Sequence, residues 1–305
     1  MITGSTISIG GLSSSGRGQI AEMTTDFTVD YTLDGSSQIT FTVVDPDLKM
    51  FKRNYFMIRR EAVYRGIEFE IASVEVGGGP GLAPQVIVQA RSAVVQRMKR
   101  DKNLRPYSRL TAFDFAATVA GNYGLRFFGQ PVVSSQGYFR VINGNNDESV
   151  WNVLSRAAQF LQYTVYEYDG TLFFASEPFI FGKIGTTIDP SSLYGATSPV
   201  TAFGISSMKY IPIRWPAPAS GSGMISLEMP RMRVSDNDPK ASSGTAILER
   251  TNARQVRPGM TVGVSGLHYF DGLYLVSRVN FQEGVPDPVT VEYRTPVVPD
   301  KATTS

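Results

Sequence analysis

Two stretches far apart in the chain spell nearly the same strand. Residues 85–92 read QVIVQARS and residues 288–295 read PVTVEYRT. Val86 coincides with Val289, Val88 with Val291 and Arg91 with Arg294, while Gln89 faces Glu292 and Ser92 faces Thr295. Upstream, IASVEV (71–76) and VSRVNF (276–281) share a valine, Val74 and Val279, at the same place. Each stretch reaches its following strand through a Gly- and Pro-bearing connection, GGGPGLAP in one and QEGVPD in the other. Alternating side chains of this kind build half-buried strands. The same order, spacing and turn chemistry in two places predicts an internal duplication.

The rest of the first hundred residues continues the strand pattern. FTVDYTL (27–33) and QITFTVVD (38–45) alternate around Asp34-Gly35-Ser36-Ser37, a short hairpin connection. YFMIRRE (55–61) and GIEFEIASVEV (66–76) read as further strands, which predicts a small barrel or sandwich over residues 1–105. Character changes near Pro106. Thr111 followed by Asp114 predicts a capped helix start, with Phe113, Ala116, Ala117 and Ala120 at helical spacing and Gly121 and Gly124 as stop signals. A second helix is expected after GNND (144–147), its stripe made by Trp151, Leu154, Ala158 and Leu161 and widened by Val150, Val153 and Ala157. YTVYEYDGTLFFA (163–175) then predicts a hairpin about Asp169-Gly170. Residues 106–180 are therefore an α+β module.

Residues 181–223, rich in Gly, Ser and Pro, read as an irregular connecting segment, and IPIRWPAPASGSG (211–223) as too irregular for a core element. Residues 224–305 form the second barrel. MISLEMPRMRV (224–234) reads as strands, GTAILERTNARQV (244–256) as a short helix and RPGMTVGVSG (257–266) as a turn into a strand; the tail VPDKATTS is expected to be loose. The fold class is α+β, mainly β: two related small β-barrel domains flanking a helix-plus-hairpin module. Because each region carries its own apolar stripe, the first barrel and the module are expected to fold without the second barrel.

A formal net charge of +2 over 305 residues gives neither a nucleic-acid footprint nor a polybasic membrane patch. The one cationic cluster, QRMKRDKNLR (96–105), reads as a solvated interdomain stretch. The chain has no cysteine, which excludes disulfides, thiolate zinc sites and cysteine nucleophiles. The N-terminus MITGSTISIGG lacks the features of a signal peptide, and no stretch approaches a membrane span. Synthesis in a cytoplasm is expected.

Candidate chemistry is sparse. The single histidine, His268, reads as part of a strand connection with Asp271 nearby, which is not a triad. Glu68, Glu70, Glu148 and Glu167 are carboxylates that a glycosidase pair would need, yet none sits in a motif. The glycine runs GGLSSSGRG (10–18) and GGGPG (77–81) lack the Lys-Ser/Thr of a phosphate loop, and neither is expected between a buried parallel strand and a helix. No catalytic, cofactor-binding or metal residue is assigned, and the pattern points to assembly rather than turnover.

The hairpin ending in QITFTVVDPD, the unit ESVWNVLSRAAQFLQYTVYEYDGTLFFASE, and the closing VRPGMTVGVSGLHYFDGLYLVSRVNFQEG with VTVEYRTP resemble the baseplate hub of bacteriophage tails. That family includes the late control D proteins and the hub portion of contractile injection spikes. The resemblance covers about 20–297, with RPGM and DGLYLVSRV its most specific parts. It implies a homotrimer whose two barrels per subunit make six related units in a ring, adapting a six-fold tail tube above to a three-fold spike below. It also implies a separate spike polypeptide, contacts with tape measure and surrounding baseplate proteins, a channel passing DNA without specific binding, no membrane insertion, and a place in the virion tail. Two other readings stay open from the residues: a tail-associated cell-wall glycan hydrolase, and a carbohydrate-binding module with Tyr194, Tyr210 and Trp215 as its platform.

Overall fold

The computed structural model describes residues 7–33, 35–79, 81–103, 110–131, 148–181, 183, 210–214, 224–227, 231–232, 242–249, 256–265, 272–282 and 288–297. In its first third, strands β1 (Ile7–Ile9), β2 (Thr24–Thr32), β3 (Gly35–Ser36), β4 (Gln38–Val44), β5 (Glu61–Tyr64), β6 (Ile67–Gly77) and β7 (Gln85–Ser92) are accompanied by helices α1 (Ser14–Met23) and α2 (Lys49–Lys52). Alternation does what the sequence implies: Phe27 and Val29 of β2, Ile39, Phe41 and Val43 of β4, and Val86, Val88 and Ala90 of β7 are buried in one core. Helix α3 (Ala93–Arg100) then leads into the middle module of α4 (Ala112–Asn122), β8 (Arg126–Gly129), α5 (Val150–Phe160), β9 (Thr164–Tyr168), β10 (Thr171–Ala175) and α6 (Glu177–Ile180). The last third holds β11 (Tyr210–Arg214), β12 (Met224–Leu227), β13 (Arg231–Met232), β14 (Ser242–Glu249), β15 (Thr261–Ser265), β16 (Gly272–Gln282) and β17 (Pro288–Arg294).

The duplication is real and far more extensive than the quoted residues. The first unit has the order β5-β6-β7-β4-β2, and the second has β15-β16-β17-β14 followed by β12 and β13. Their registers coincide pair for pair. Val74 faces Val88 as Val279 faces Val291; Glu61 faces Glu70 as Thr261 faces Leu275; Gln38 faces Arg91 as Ser243 faces Arg294. Even the irregularities repeat. A bulge falls between Ile71 and Ser73 and again between Val276 and Arg278; another falls between Thr24 and Asp26 and again between Met224 and Ser226. A bulge bends a strand and sharpens its twist, so bulges at matching positions give the two units the same curl.

The turn before β5 has its twin before β15. The Arg60 N–H donates to the Met57 carbonyl at 3.0 Å, and the Met260 N–H to the Arg257 carbonyl at 3.2 Å. Ile71 N–H then donates to Arg60 O at 2.9 Å, as Val276 N–H does to Met260 O at 2.8 Å. The third turn residue is left-handed in both, Arg59 at φ 69° and Gly259 at φ 84°. Residues 257–260 spell the Pro-Gly form of this turn; residues 57–60 make it without either. This corrects the strand expected over 55–61: the backbone turns there, and strand begins at Glu61.

Three other expectations need correction. GTAILE is strand β14, not helix, because both its edges are taken, by β12 and by β17, and tertiary pairing overrides ambiguous local preference. Residues 211–214 of the segment read as irregular belong to β11, which runs parallel to β15; Pro212 is tolerated there because β11 is at the sheet edge among the described residues. The buried face of α4 is Ala112, Phe115, Ala116, Val119 and Ala120, so Phe113 and Ala117 lie beside the stripe instead of in it. Its cap is as expected, with the Asp114 N–H donating to Thr111 Oγ1 at 3.0 Å. The α5 stripe is buried as expected, Trp151 included, and the 163–175 hairpin turns on left-handed Asp169 and Gly170.

The module's sheet, in order β3-β9-β10-β8, borrows its edge strand from the β2–β4 connection. Gly35–Ser36 therefore does not simply close a hairpin; it runs parallel to Tyr166–Glu167. One face of this sheet, with Leu172 and Phe174, packs on α3, α4 and α5. The other, with Tyr166 and Phe173, packs against Val256, Met260, Val262 and Tyr274 of the last third. The module thus has a second apolar face that packs against the second unit. A single sheet joins both units, through β2 pairing with β16.

Candidate assembly surface

The carboxylates weighed for catalysis are committed to structural contacts. Glu68 and Glu70 do share a strand face, and α3 answers them. Arg97 lies 4.0 Å from Glu68, and Arg100 grips both Glu70 oxygens, its Nη2 at 2.7 Å from Oε2. The first part of the cationic stretch, to Arg100, thus belongs to helix α3, which carries exposed Arg97 and Arg100 along the Glu68–Glu70 row. Glu148 pairs with Arg156 at 3.0 Å. Glu167 is buried and accepts from the Gly170 N–H at 3.1 Å, closing the β9–β10 turn. Burial pushes its carboxyl above the usual carboxylate range, against the pull of hydrogen bonds from Ser92 and Gly170. Its neighbour Asp169 points instead to Arg126, 3.6 Å away.

Among the described residues no three His, Asp or Glu side chains gather to hold a metal. His268, Asp271, Tyr194 and Trp215 lie outside the described residues, and Tyr210 begins β11. The glycine run at 10–18 follows β1 and continues into α1. However, β1 is an antiparallel partner of β5, and Ser13 itself caps α1 by accepting from Gly16 N–H at 3.2 Å. A surface cleft of about 210 Å³ lies between α1 and α2, beside Asp45. Both Asp45 oxygens are occupied by backbone, Met50 N–H at 3.0 Å and Phe51 N–H at 2.8 Å.

What the fold does present is a seam and two matching edges. In the seam, Val29, Asp30, Tyr31 and Thr32 of β2 face Phe281, Asn280, Val279 and Arg278 of β16. Arg278 forms a two-pronged bond to Asp30, Nε to Oδ1 and Nη2 to Oδ2 at 2.7 Å each, and reaches Glu292 at 3.3 Å. The Asp30 hydrogen bond, outweighing desolvation, keeps the Arg278 guanidinium firmly protonated. A second tie links module to second unit: Arg294 donates to Glu177 Oε1, and Val297 N–H donates to Glu177 Oε2 at 2.7 Å.

Duplication makes the unmatched half of each unit conspicuous. In β16 the N-terminal half pairs with β15 and the C-terminal half with β2. In β6 the N-terminal half pairs with β5, while among the described residues nothing pairs with the same edge of Ser73–Gly77. Val279 is 1% exposed under β2, whereas Val74 is partly exposed and Val76 is 48% exposed. The counterpart of β2 in the second unit, β12 with β13, likewise pairs on one side only among the described residues. Sequence reasoning found the valines of this repeat but not the edges, since an edge is a property of what fails to arrive beside a strand.

Solved structures share this fold along nearly the whole chain. The tail protein from Neisseria meningitidis MC58 aligns with a TM-score of 0.57 at 14% identity, covering 94% of each chain. The 43 kDa tail protein of prophage MuSo2 from Shewanella oneidensis aligns with a TM-score of 0.57 at 10% identity, covering 95% of each. The E. coli c3393 protein, a component of the type VI secretion system with structural similarity to the T4 bacteriophage tail proteins gp27 and gp5, aligns at 0.51 and 11% identity, over 96% of this chain and 77% of that one. No family model matches the sequence, and no curated protein does. The fold resembles that of phage tail proteins, as the sequence resemblance implied.

Proposed function

We propose that the chain, which shares its fold with phage tail proteins, is a structural hub of a phage tail or of a related injection machine. The observation that carries this reading is the duplicated five-strand unit, repeated bulge for bulge and fused through β2–β16 into one sheet. Two like units joined side by side are half-built rotational repeats. Three such chains in a ring present six related positions on one side and three identical positions on the other. That is the geometry needed to seat a six-fold tube on a three-fold spike, because closed rings require every position to be filled by a compatible surface. The ring encloses a channel for the cargo of ejection, and the net charge of +2 favours passage over retention of a polyanion. The partners are a tube protein above, a separate spike below, and tape measure and baseplate proteins around it.

The role is structural, not enzymatic: Glu68, Glu70 and Glu148 neutralise arginines, and Glu167 sits buried beneath a turn. The test is the mass of the purified chain in solution together with electron microscopy of any ring, followed by mixing with tube protein. Trimeric rings that cap tubes are expected, with no clearing of purified cell wall in a zymogram. A monomer that clears cell wall would replace this reading with the hydrolase.

A further inference from the structure

We propose that the β2–β16 seam is repeated between copies: the β13 edge of one chain pairs antiparallel with Ser73–Gly77 of β6 in the next. The register follows from the two units themselves. Asp30 faces Gln38 and Arg231 faces Ser243, and Gln38 and Ser243 face the equivalent residues Arg91 and Arg294. Arg231 is therefore the counterpart of Asp30, and Met232 that of Tyr31. On the other side, Val74 and Glu75 are the counterparts of Val279 and Asn280, because Val88 and Val291 bind them in the same register.

Since Tyr31 faces Val279 and Asp30 faces Asn280 within the chain, the contact between copies sets Met232 opposite Val74 and Arg231 opposite Glu75. Three observations favour this occupant. The within-chain seam pairs the equivalents of these two edges, β2 and β16. The exposed apolar Val76 and partly exposed Val74 stand where the second unit keeps Val279 covered. The charges also match: a basic residue falls directly across from Glu75, which is exposed. Opposite charges at facing positions favour a pairing, and like charges oppose it. An uncovered edge of this kind is otherwise a liability for uncontrolled strand addition. The contact uses a different surface on each partner, so it closes only as a ring. For the number of copies the inference rests on the trimeric reading above; for the strands and register it does not.

The chain has no cysteine, which makes a cross-link between copies easy to read. Directly facing antiparallel residues hold their Cβ atoms about 4.5–5.5 Å apart, close to the span of a disulfide. The full-length double variant Glu75→Cys with Arg231→Cys, oxidised and run without reductant, is expected to give covalent dimer and trimer. Asp30→Cys with Asn280→Cys serves as the within-chain control and is expected to give only a cross-linked monomer. A trimer by mass without a 75–231 cross-link overturns the pairing and leaves the ring reading standing. A monomer by mass overturns both. A 75–231 cross-link confined to one chain also overturns the proposal. Should the cysteine variant fail to fold, charge reversal decides. Glu75→Arg and Arg231→Glu singly are expected to weaken assembly about tenfold, and the double reversal to restore it; an unrestored double variant counts against the pairing.

Discussion

Val279 and Val74 hold the same position in the two copies of the five-strand unit, yet Val279 is 1% exposed and Val74 only partly covered. The strands themselves are alike in length, register and bulge. What differs is the neighbour: β2 lies along the second half of β16, and among the described residues no strand lies along the second half of β6. Burial here is a property of the assembly of units and not of the strand's own sequence. Duplication inside one chain therefore serves as an internal control for what a missing partner would cover.

The largest effect is expected from removing the second unit altogether. A chain ending at Gly223 uncovers Tyr166 and Phe173 on the module's sheet, together with the β2 edge at the seam. Burying a large side chain of this kind contributes about 1.5–3 kcal/mol, so losing two of them removes a large share of the roughly 5–15 kcal/mol that holds a typical fold together. The fragment is expected to bind hydrophobic dyes and to unfold without a sharp transition. Cooperative unfolding at the temperature of the intact chain would show that the module is self-sufficient after all.

Next comes the direct comparison of equivalent valines. Val279→Asp places an unpaired charge in a closed core and is expected to cost more than about 3 kcal/mol in urea unfolding. Val74→Asp, on the uncovered strand, is expected to cost a fraction of that in the isolated chain. Equal losses would mean that the β6 edge is already covered in the free protein.

Much of this fold was legible in sequence. Alternation placed β2, β4, β6 and β7; the Asp169-Gly170 dipeptide placed the module's hairpin; Thr111 with Asp114 placed the start of α4. The repeat was visible where both copies keep the same residue types at matching positions, as at Val86 and Val289. It vanished between β4 and β14, where Thr40 and Thr245 are the one shared residue, and GTAILE consequently read as helix. The turn at 57–60 was illegible because Arg59 takes a conformation that its twin assigns to glycine. As for the candidate surface, its residues were quoted but its geometry was not: the position of Asp30 across from Asn280 and beside Arg278 depends on two strands separated by most of the chain.

A smaller effect tests the seam's charges. Arg278→Ala removes the pair with Asp30 and the contact with Glu292, at a site 44% exposed on the arginine side. A partly solvated pair contributes about 1 kcal/mol or less, and its loss is expected to shrink further in high salt. The same change at the equivalent residue, Ser73→Ala, is expected to leave stability unmoved.

Glu167 offers a test by pH. Its folded carboxyl is raised by burial, so the folded state holds the proton more tightly than the unfolded chain does. Stability from this group is fully present below the unfolded carboxylate pKa and declines as pH rises through the folded one. Glu167→Gln keeps an oxygen for the Gly170 N–H and removes the buried charge. The variant is expected to melt higher than the parent at pH 7 and to match it near pH 4. A variant that is less stable at pH 7 would mean the carboxylate makes a contact that an amide cannot replace.

The smallest effect separates the twin turns. Arg59 and Gly259 occupy the same left-handed position, at φ 69° and φ 84°. A residue with a Cβ is strained there by about 1–2 kcal/mol, because its Cβ crowds the following carbonyl. Glycine escapes the strain but gives the unfolded chain more freedom to lose on folding, which offsets about 0.5–1 kcal/mol of the gain. Arg59→Gly is therefore expected to stabilise the chain slightly, by about 0.5 kcal/mol. Gly259→Ala is expected to do the reverse, by about 1 kcal/mol. Chemical denaturation of the two variants against the parent reads both signs. Opposite signs would establish that the two turns share one backbone requirement which only the second copy meets with its optimal residue. If Arg59→Gly instead destabilised the chain, the arginine side chain would be contributing more than its backbone strain costs, and the two turns would have parted in function as well as in sequence.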